Sequence, residues 1–340
     1  MKVDPGLDVG AIGSCLFSNY GVRVGSVAFL PLGDVSAAHY EVVGADGVAY
    51  FLKVTFGAVN AGGLRLASAL VDLGVPNVLA PLRTRAGGVS CPIDGHPGAS
   101  GVLFPFVRGQ NAQVAGLSDE QWRAFGSTLR GVHDSGLVER FRDVLAVETF
   151  ALPSAAKVRR MLAVIGEGPF EGPSAARFIA FLREHDDRIR QVLGRAEELG
   201  ARLRRKSFEN VVCHADIHAA NILVSEDGRI SLIDWDGPPD PMIAPRQRDL
   251  LFVVGSRIAR TVEPQEEDLF FEGYGPVAID REELIYYRYE RIVEDLGEFG
   301  DTILLDPDTS ELARAEAVDI VEGIFAPGGM VESAEVVGIR

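Results

Sequence analysis

The stretch HADIHAANILV, residues 214–224, decides the fold because it places many polar side chains directly before an apolar strand. Two histidines, an aspartate and an asparagine occur within the eight residues 214–221, and Ile222, Leu223 and Val224 follow. Such a set suits a metal-dependent hydrolase, a phosphotransferase, or a loop whose polar side chains only cap chain ends. The sequence that follows it distinguishes these alternatives.

A hairpin after this stretch predicts a second acid opposite the asparagine. Residues 222–233 read ILVSEDGRISLI, and Asp227-Gly228 is typical of a two-residue type I′ turn. With that turn, Asn221 lies directly opposite Asp234, and their Cβ atoms are roughly 5 Å apart. A shift of one residue would send the two side chains to opposite faces, so this prediction depends on the turn.

The resulting set has the chemistry of phosphoryl transfer by kinases. The amide oxygen of Asn221 and the carboxylate of Asp234 suit a hard cation such as Mg²⁺. Asp216 precedes Asn221 by five residues and can accept and orient an attacking hydroxyl. The strand YFLKV supplies Lys53 for the phosphates of ATP, although a lysine on an edge strand can also extend to solvent.

The chain changes character near residue 104, from apolar strands to amphipathic helices. The sequence predicts an α+β, protein-kinase-like bilobal fold with an antiparallel β-rich nucleotide-binding lobe (1–104) and a mainly helical lobe (105–340). Strands are predicted within 20–56, over NVLAPLRT (77–84) and over GVLFPFV (101–107). Helices are predicted over 64–75, from a capping box at Ser118 and Gln121, and over about 174–206.

Composition and charge exclude several classes of protein. The chain has 340 residues, 47% of them apolar, and a net charge of −16. No apolar run reaches the roughly 18 residues of a membrane span, and acids, a proline and glycines interrupt the first ten residues, where a signal peptide is apolar. The charge disfavours nucleic acid and favours a cationic ligand, although many proteins are acidic for solubility. We expect a cytoplasmic protein with a small-molecule substrate and no membrane or nucleic-acid partner.

The three cysteines, Cys15, Cys91 and Cys213, are odd in number and far apart. This pattern argues against a disulfide framework or a zinc ribbon and is typical of a reducing cytoplasm.

Three motifs resemble the aminoglycoside phosphotransferase family, whose fold is similar to that of protein kinases. HADIHAANIL resembles its catalytic loop, LIDWD (232–236) its metal-aspartate segment and YFLKV its ATP-lysine strand. Segments that look most like the spectinomycin (aminocyclitol) branch are PMIAPRQRDLLFV (241–253), FFEGYG (270–275) and YYRYERIVEDL (286–296).

The resemblance implies a role for each matching residue. Asp216 is the catalytic aspartate, Asn221 and Asp234 hold Mg²⁺, and Lys53 binds the phosphates of ATP. Further residues with implied or candidate roles are His214, His218 and Asp249 as supports of the loop, Gly33, Ser36, Phe104 and Phe106 at the nucleotide, and Asp236, Tyr274, Tyr286 and Glu290 at the acceptor. Core or capping roles are the alternatives for many of these.

One feature departs from the kinase pattern. Kinases pair the ATP lysine with a glutamate on the following helix, but residues 60–75, NAGGLRLASALVDLGV, contain no glutamate. Either Lys53 lacks this partner or an acid from elsewhere replaces it.

The function expected from these residues is ATP-dependent O-phosphorylation of a small cationic aminocyclitol or aminoglycoside, with Mg²⁺. A choline- or homoserine-kinase-like metabolite kinase of the same fold is the alternative. Two other classes stay open: a metal-dependent hydrolase that uses His214, Asp216 and His218, and a non-catalytic kinase-like binding protein. The sequence leaves the oligomeric state and the hydroxyl group undetermined.

Overall fold

The computed structural model describes residues 4–32, 37–164, 170–307 and 309–336. The helices are α1 Val9–Tyr20, α2 Ala61–Asp72, α3 Ala112–Ala115, α4 Asp119–His133, α5 Val138–Phe141, α6 Ala155–Val164, α7 Pro173–Glu184, α8 Asp186–Leu203, α9 Gln247–Leu250, α10 Pro264–Tyr274, α11 Arg281–Leu304, α12 Glu311–Phe325 and α13 Met330–Ser333, with a 3-10 turn at Ala219–Asn221. The strands are β1 Val24–Leu30, β2 Ala37–Gly44, β3 Ala49–Phe56, β4 Cys91–Pro92, β5 Ala99–Pro105, β6 Gly109–Asn111, β7 Ala146–Val147, β8 Val211–Cys213, β9 Ile222–Ser225, β10 Ile230–Leu232 and β11 Met242–Ala244.

The chain forms two compact units. The first contains Met1–Val147, Val211–Ile243 and Asp268–Gly275, and the second contains Glu148–Asn210, Ala244–Glu267 and Pro276–Arg340. The lobe boundary predicted near residue 104 stays a prediction. Several segments after that residue pack within the first unit. No helix in the described part of the chain combines the length and the apolar character needed to cross a membrane.

A five-stranded antiparallel sheet in the order β1-β2-β3-β5-β4 forms the centre of the first unit. Alternation along β3 buries Leu52 and Val54 completely in the core on one face and places Lys53 on the other. In register, Lys53 lies between His39 of β2 and Val102 of β5. The strands predicted within 20–56 and over 101–107 are confirmed.

Helix α1 was missed by the sequence reading, and it covers the core side of this sheet. Asp8 caps its start by accepting from the N–H of Ala11 (2.7 Å), and Ile12 and Leu16 are fully buried. Cys15 of α1 is bonded to Cys91 of β4, 76 residues further along the chain. The expectation against disulfides is therefore wrong for this pair, because wide spacing in sequence does not prevent a helix from packing beside a strand.

The strand predicted over residues 77–84 is also wrong. Asn77 has φ of 57°, and Val78 makes only an isolated bridge with Leu232 of β10. Further on, Leu82 donates its N–H to the carbonyl of Leu103 (2.7 Å). The apolar side chains of this segment are partly buried, so its hydrophobic pattern reflects burial of an irregular segment rather than strand pairing.

The β9–β10 hairpin forms as predicted, but its register differs by one residue. Leu232 pairs with Ile222, and the loop holds residues 226–228. Gly228 closes the loop with φ of 81°. A three-residue hairpin loop commonly ends in such a left-handed residue, which explains why an Asp-Gly pair did not make the shorter turn.

This register places Ile233, rather than Asp234, opposite Asn221. The N–H of Ile233 donates to the carbonyl of Asn221 (3.0 Å). The predicted cross-strand pairing of Asn221 with Asp234 is thus wrong. Asp234 lies beyond the end of β10 with φ of 63°, so its side chain does not follow the alternation of the strand.

Helix α4 begins with the predicted capping box. The Ser118 hydroxyl accepts from the N–H of Gln121, and the Gln121 side chain accepts from the N–H of Ser118. The face predicted for the core is buried, with Trp122, Phe125 and the leucine and valine that follow at helical spacing all under 5% exposed.

The second unit is helical, with α11 packed against α6, α8 and α12. The single helix predicted over 174–206 is two helices, because α7 ends at Glu184 and α8 begins at Asp186, with His185 between them. The His185 ring stacks on the Phe181 ring with centroids 4.4 Å apart, and the backbone N–H of His185 donates to the Phe181 carbonyl.

Gly63 of the first unit lets α2 approach the segment after β10. A Cβ built on Gly63 would lie 1.8 Å from the carbonyl oxygen of Trp235 and 3.0 Å from Pro241. The neighbouring glycine lies against side chains of residues 144 and 145. The sequence NAGG therefore marks a close contact between helix and backbone rather than a flexible loop.

We predict that Gly63→Ala lowers the free energy of unfolding by about 1–3 kcal/mol, because the helix must shift away from Trp235. Gly13→Ala in α1 is the matched control, since nothing lies within 4 Å of its Cβ position. It should leave stability unchanged or raise it by about 0.5–1 kcal/mol, the usual gain for alanine in a helix. Chemical denaturation of both variants measures the difference, and equal stabilities would contradict this packing.

Candidate active site

His214 joins the two segments that carry the predicted catalytic residues. Its side chain is completely buried; Nε2 donates to the carbonyl of Ile233 (2.8 Å), and Nδ1 accepts from the N–H of Asp216 (3.3 Å). The ring packs on Trp235, with centroids 4.5 Å apart. Both ring nitrogens are thus bonded to backbone groups, which fixes the loop and makes His214 unsuitable as a metal ligand.

The Asp216 carboxylate is held by two side chains of its own loop. Asn221 donates its side-chain N–H to the Asp216 carbonyl (2.8 Å) and to Asp216 Oδ2 (3.2 Å). His218 Nε2 lies 3.4 Å from the same Oδ2, while its Nδ1 accepts from the N–H of Ala220. These contacts orient Asp216 and explain why so many polar residues are close together in this stretch.

The backbone around the loop adopts conformations that are rare for residues with side chains. Ala215 has φ of 70° and Asp234 has φ of 63°. Left-handed backbone at non-glycine residues costs of order 1–3 kcal/mol and is concentrated at functional sites. Here it occurs directly before Asp216 and at the predicted metal aspartate.

Lys53 binds two carboxylates of the segment after β10. Its Nζ lies 3.0 Å from Asp234 Oδ1 and 3.0 Å from Asp236 Oδ1. The exposed side-chain fractions are 38% for Asp234 and 3% for Asp236. The structure therefore brings the predicted ATP lysine and metal aspartate together, and adds a buried second acid.

Burial and charge act against each other in this trio. Burial alone would lower the pKa of Lys53, but the carboxylates of Asp234 and Asp236 outweigh it and raise that pKa. Burial raises the pKa of Asp236, and the Lys53 ammonium opposes the rise. Lys53 is consequently held in its charged form, as binding of phosphates requires.

The donor groups at Asn221 and Asp234 fit a hard cation such as Mg²⁺. Since the Asn221 nitrogen donates to Asp216, the amide oxygen is the atom left for a cation. Asp234 uses Oδ1 for Lys53, and a Cβ at Gly237 would lie 2.6 Å from Asp234 Oδ2. This glycine therefore keeps space beside the carboxylate, and carboxylate and amide oxygens are ligands that Mg²⁺ accepts.

An aromatic pair that the sequence reading missed lies on the same sheet as Lys53. The rings of His39 and Phe51 stack with centroids 5.3 Å apart, and the ring centroids of Phe51 and Phe104 are 6.3 Å apart. Burial lowers the pKa of His39, although its bond to the Leu32 carbonyl opposes the change. The available signal was the spacing of Phe51 and Lys53, which lie two residues apart and so share one face of β3.

Two residues predicted at the nucleotide, Phe104 and Phe106, lie at the end of β5 and directly after it. Phe104 pairs with Phe51 in the sheet and is 9% exposed. Phe106 follows the strand, donates its N–H to the Ala49 carbonyl (3.3 Å), and carries the Arg108 guanidinium over its ring. Their contact with the nucleotide stays a prediction. Gly33 and Ser36, the other predicted nucleotide residues, lie outside the described residues.

The candidate acceptor residues have structural roles as well. In the first unit, Tyr274 is 2% exposed and its hydroxyl bonds His133 Nδ1 (2.6 Å), while Asp236 binds Lys53. In the second unit, Tyr286 is fully buried and donates to the Ala151 carbonyl (2.9 Å). The roles of these three residues at the acceptor stay predictions.

Glu290 and Asp249, in the second unit, are acids with little exposure to solvent. Glu290 is half-buried and forms an ion pair with Arg248; burial raises the pKa of Glu290, and Arg248 opposes the rise. Asp249 lies on α9 and is completely buried. The predicted acceptor contact of Glu290 and bracing role of Asp249 stay predictions.

Comparison with known proteins identifies the family. The profile of the phosphotransferase enzyme family (APH) matches residues 30–286, most of the chain. The chain belongs to the phosphotransferase enzyme family. A sequence search of curated proteins finds no significant match.

Solved structures of this phosphotransferase family agree with the assignment. Spectinomycin phosphotransferase APH(9)-Ia in complex with ADP and spectinomycin is 27% identical with a TM-score of 0.84, covering 97% of this chain and 98% of that chain. Its AMP-bound complex is 26% identical with a TM-score of 0.81, covering 96% and 98%. An aminoglycoside phosphotransferase from Alicyclobacillus acidocaldarius, 15% identical with a TM-score of 0.56 over 98% and 96%, shares the fold.

These findings confirm the kinase-like α+β fold, the family resemblance and the enzyme class. This phosphotransferase uses ATP and acts on a hydroxyl group of a small molecule. A non-catalytic role and a hydrolase are therefore not supported.

We predict that His214→Ala weakens both stability and catalysis. The Ile233 carbonyl and the Asp216 N–H would lose their partner, at about 1–3 kcal/mol for each buried group left unsatisfied. His96→Ala, at a partly exposed turn, is the control and should change stability by less than about 0.5 kcal/mol. Denaturant unfolding and turnover of the two variants provide the check, and a stable, fully active His214→Ala enzyme would contradict the proposed support of the loop.

Proposed function

We propose that this phosphotransferase transfers the γ-phosphoryl group of ATP to a hydroxyl of a small cationic aminocyclitol. The observation that carries the proposal is that Lys53 pairs with Asp234 and Asn221 holds Asp216, with all four residues in one compact unit. These residue types match the lysine, catalytic acid and metal ligands of phosphoryl transfer.

Each side chain has one task in this proposal. Asp216, held by Asn221 and His218, accepts a hydrogen bond from the acceptor hydroxyl and takes its proton as the acceptor oxygen bonds to the γ-phosphorus. The bond from that phosphorus to the β–γ bridging oxygen breaks, and ADP leaves. Lys53 binds the phosphates of ATP with its charged ammonium group. Asn221 and Asp234 would hold Mg²⁺, which when bound neutralises charge on the phosphate oxygens. The side chains thus act by positioning and charge stabilisation.

Two observations support an aminocyclitol as the acceptor. The likeness to the spectinomycin-bound phosphotransferase covers nearly the whole of both chains at 27% identity. The chain also carries 49 acidic against 33 basic residues, and an excess of negative charge favours the approach of a cation.

We predict that the enzyme releases ADP with Mg²⁺, ATP and spectinomycin, at a rate well above that without acceptor. Aminoglycosides, choline and homoserine form the rest of the acceptor panel, and a coupled assay of ADP formation measures each. Turnover with choline or homoserine but with no aminocyclitol would replace this acceptor class by that of a metabolite kinase.

The same assay tests Asp216. Asp216→Asn should lower kcat about 10²- to 10⁴-fold, the usual contribution of a catalytic acid or base, while calorimetry finds MgADP binding unchanged. Asp227→Asn removes an exposed carboxylate in the turn of the neighbouring hairpin and should keep full activity. Full ADP release by Asp216→Asn would refute the assigned role.

A further inference from the structure

Helix α2 supplies no carboxylate to the ATP lysine. The segment 60–75 has no glutamate, and its single acid, Asp72, lies at the last turn of α2. Asp72 forms an ion pair with Arg83, and both side chains are 51% exposed. The lysine–glutamate pair that orders the phosphate lysine in protein kinases therefore cannot come from this helix.

The segment after β10 offers a buried carboxylate in place of that glutamate. Asp236 Oδ1 lies 3.0 Å from Lys53 Nζ, and the Asp236 side chain is 3% exposed. Asp234 lies at the same distance but is 38% exposed. The two acids thus differ in accessibility: Asp234 can be reached by a cation from solvent, whereas Asp236 faces Lys53 inside the protein.

The packing of α2 explains how Asp236 is held in place. At Gly63, the helix backbone lies against the Trp235 carbonyl, where a Cβ would be only 1.8 Å away. Asn60, the N-cap of α2, donates its side-chain N–H to Asp240 Oδ1 (2.8 Å). The helix is thus tied to the segment on both sides of Asp236, and the Trp235 ring is buried.

We propose that Asp236 is the positioning residue for Lys53, fixing its ammonium for the phosphates of ATP in place of a helix glutamate. This inference rests on the proposed role of Lys53 in the phosphotransfer reaction. It assigns Asp234 to the cation and Asp236 to the lysine. It also gives Asp236 a role at the nucleotide rather than at the acceptor.

The first experiment compares the MgADP affinity of the wild type, Asp236→Asn and Asp236→Glu by calorimetry. Loss of the carboxylate should weaken MgADP binding about 10-fold or more, because a misplaced lysine no longer meets the phosphates. The glutamate variant keeps the charge and should recover part of the affinity. Asp72→Asn, which removes an exposed carboxylate of the same helix, should bind as the wild type does.

A double-mutant cycle with Lys53→Met separates positioning from a general structural effect. If Asp236 acts through Lys53, Asp236→Asn should cause little further loss of MgADP affinity in the Lys53→Met background. Losses that simply multiply, or wild-type affinity in Asp236→Asn, would overturn the proposal. If Asp236→Asn does not fold, the same cycle with Asp236→Glu decides, because a longer side chain must also disturb Lys53.

Steady-state kinetics distinguishes this role from acceptor binding. With an acceptor that the wild type uses, Asp236→Asn should lower kcat/KM for ATP about 10²-fold and leave the KM of the acceptor unchanged. A raised acceptor KM with unchanged ATP parameters would overturn the proposal. The affinity cycle needs no acceptor, so failure to find a substrate would count against the proposed function and not against Asp236.

Discussion

The geometry of the candidate active site in the first unit depends on one ammonium group, that of Lys53, shared by two carboxylates. Lys53 extends from the central strand of the sheet, and the two acids extend from the segment after β10. Their attraction keeps Lys53 charged despite burial, and it ties the five-stranded sheet to the segment that also carries the predicted metal ligand. A buried charge without such partners would be strongly disfavoured, so the contact constrains both segments.

Hydrogen bonds to backbone groups extend this constraint to the loop of residues 214–221. His214 links the loop to Ile233, and the Ile233 N–H in turn binds the Asn221 carbonyl. Asn221 then holds Asp216 through its side-chain amide. Asp216, Asn221 and Asp234 are thus connected over two residues or fewer of backbone at each step. These hydrogen bonds explain how the two polar segments, residues 214–221 and 233–236, keep a fixed geometry.

Local sequence patterns predicted most of the strands and the α4 cap. These features depend on near neighbours, such as alternation along β3 and the Ser118–Gln121 capping box. The hairpin residues were identified correctly, but the register was wrong by one because an Asp-Gly pair suits both two- and three-residue loops. The direction of the Asp234 side chain therefore depends on the backbone turn at that residue, which no periodicity indicates.

Features that depend on contacts distant in sequence could not be predicted. The bond between Cys15 and Cys91 and the pairing of Lys53 with Asp236 join residues 76 and 183 positions apart. The sequence did carry one indirect signal, since a helix with two glycines and no glutamate leaves the lysine partner to another segment. Only the fold shows that Asp236, the last residue of LIDWD, lies beside Lys53.

The central proposal is that Asp234 binds the cation and Asp236 positions Lys53. A crystal structure with ADP and Mn²⁺ tests it most directly. Anomalous scattering locates the manganese ion independently of the protein atoms. We expect manganese bound to the Asn221 amide oxygen and the Asp234 carboxylate, with Lys53 at the phosphates and still bonded to Asp236. Manganese ligated by Asp236, or Lys53 paired with another acid, would contradict it.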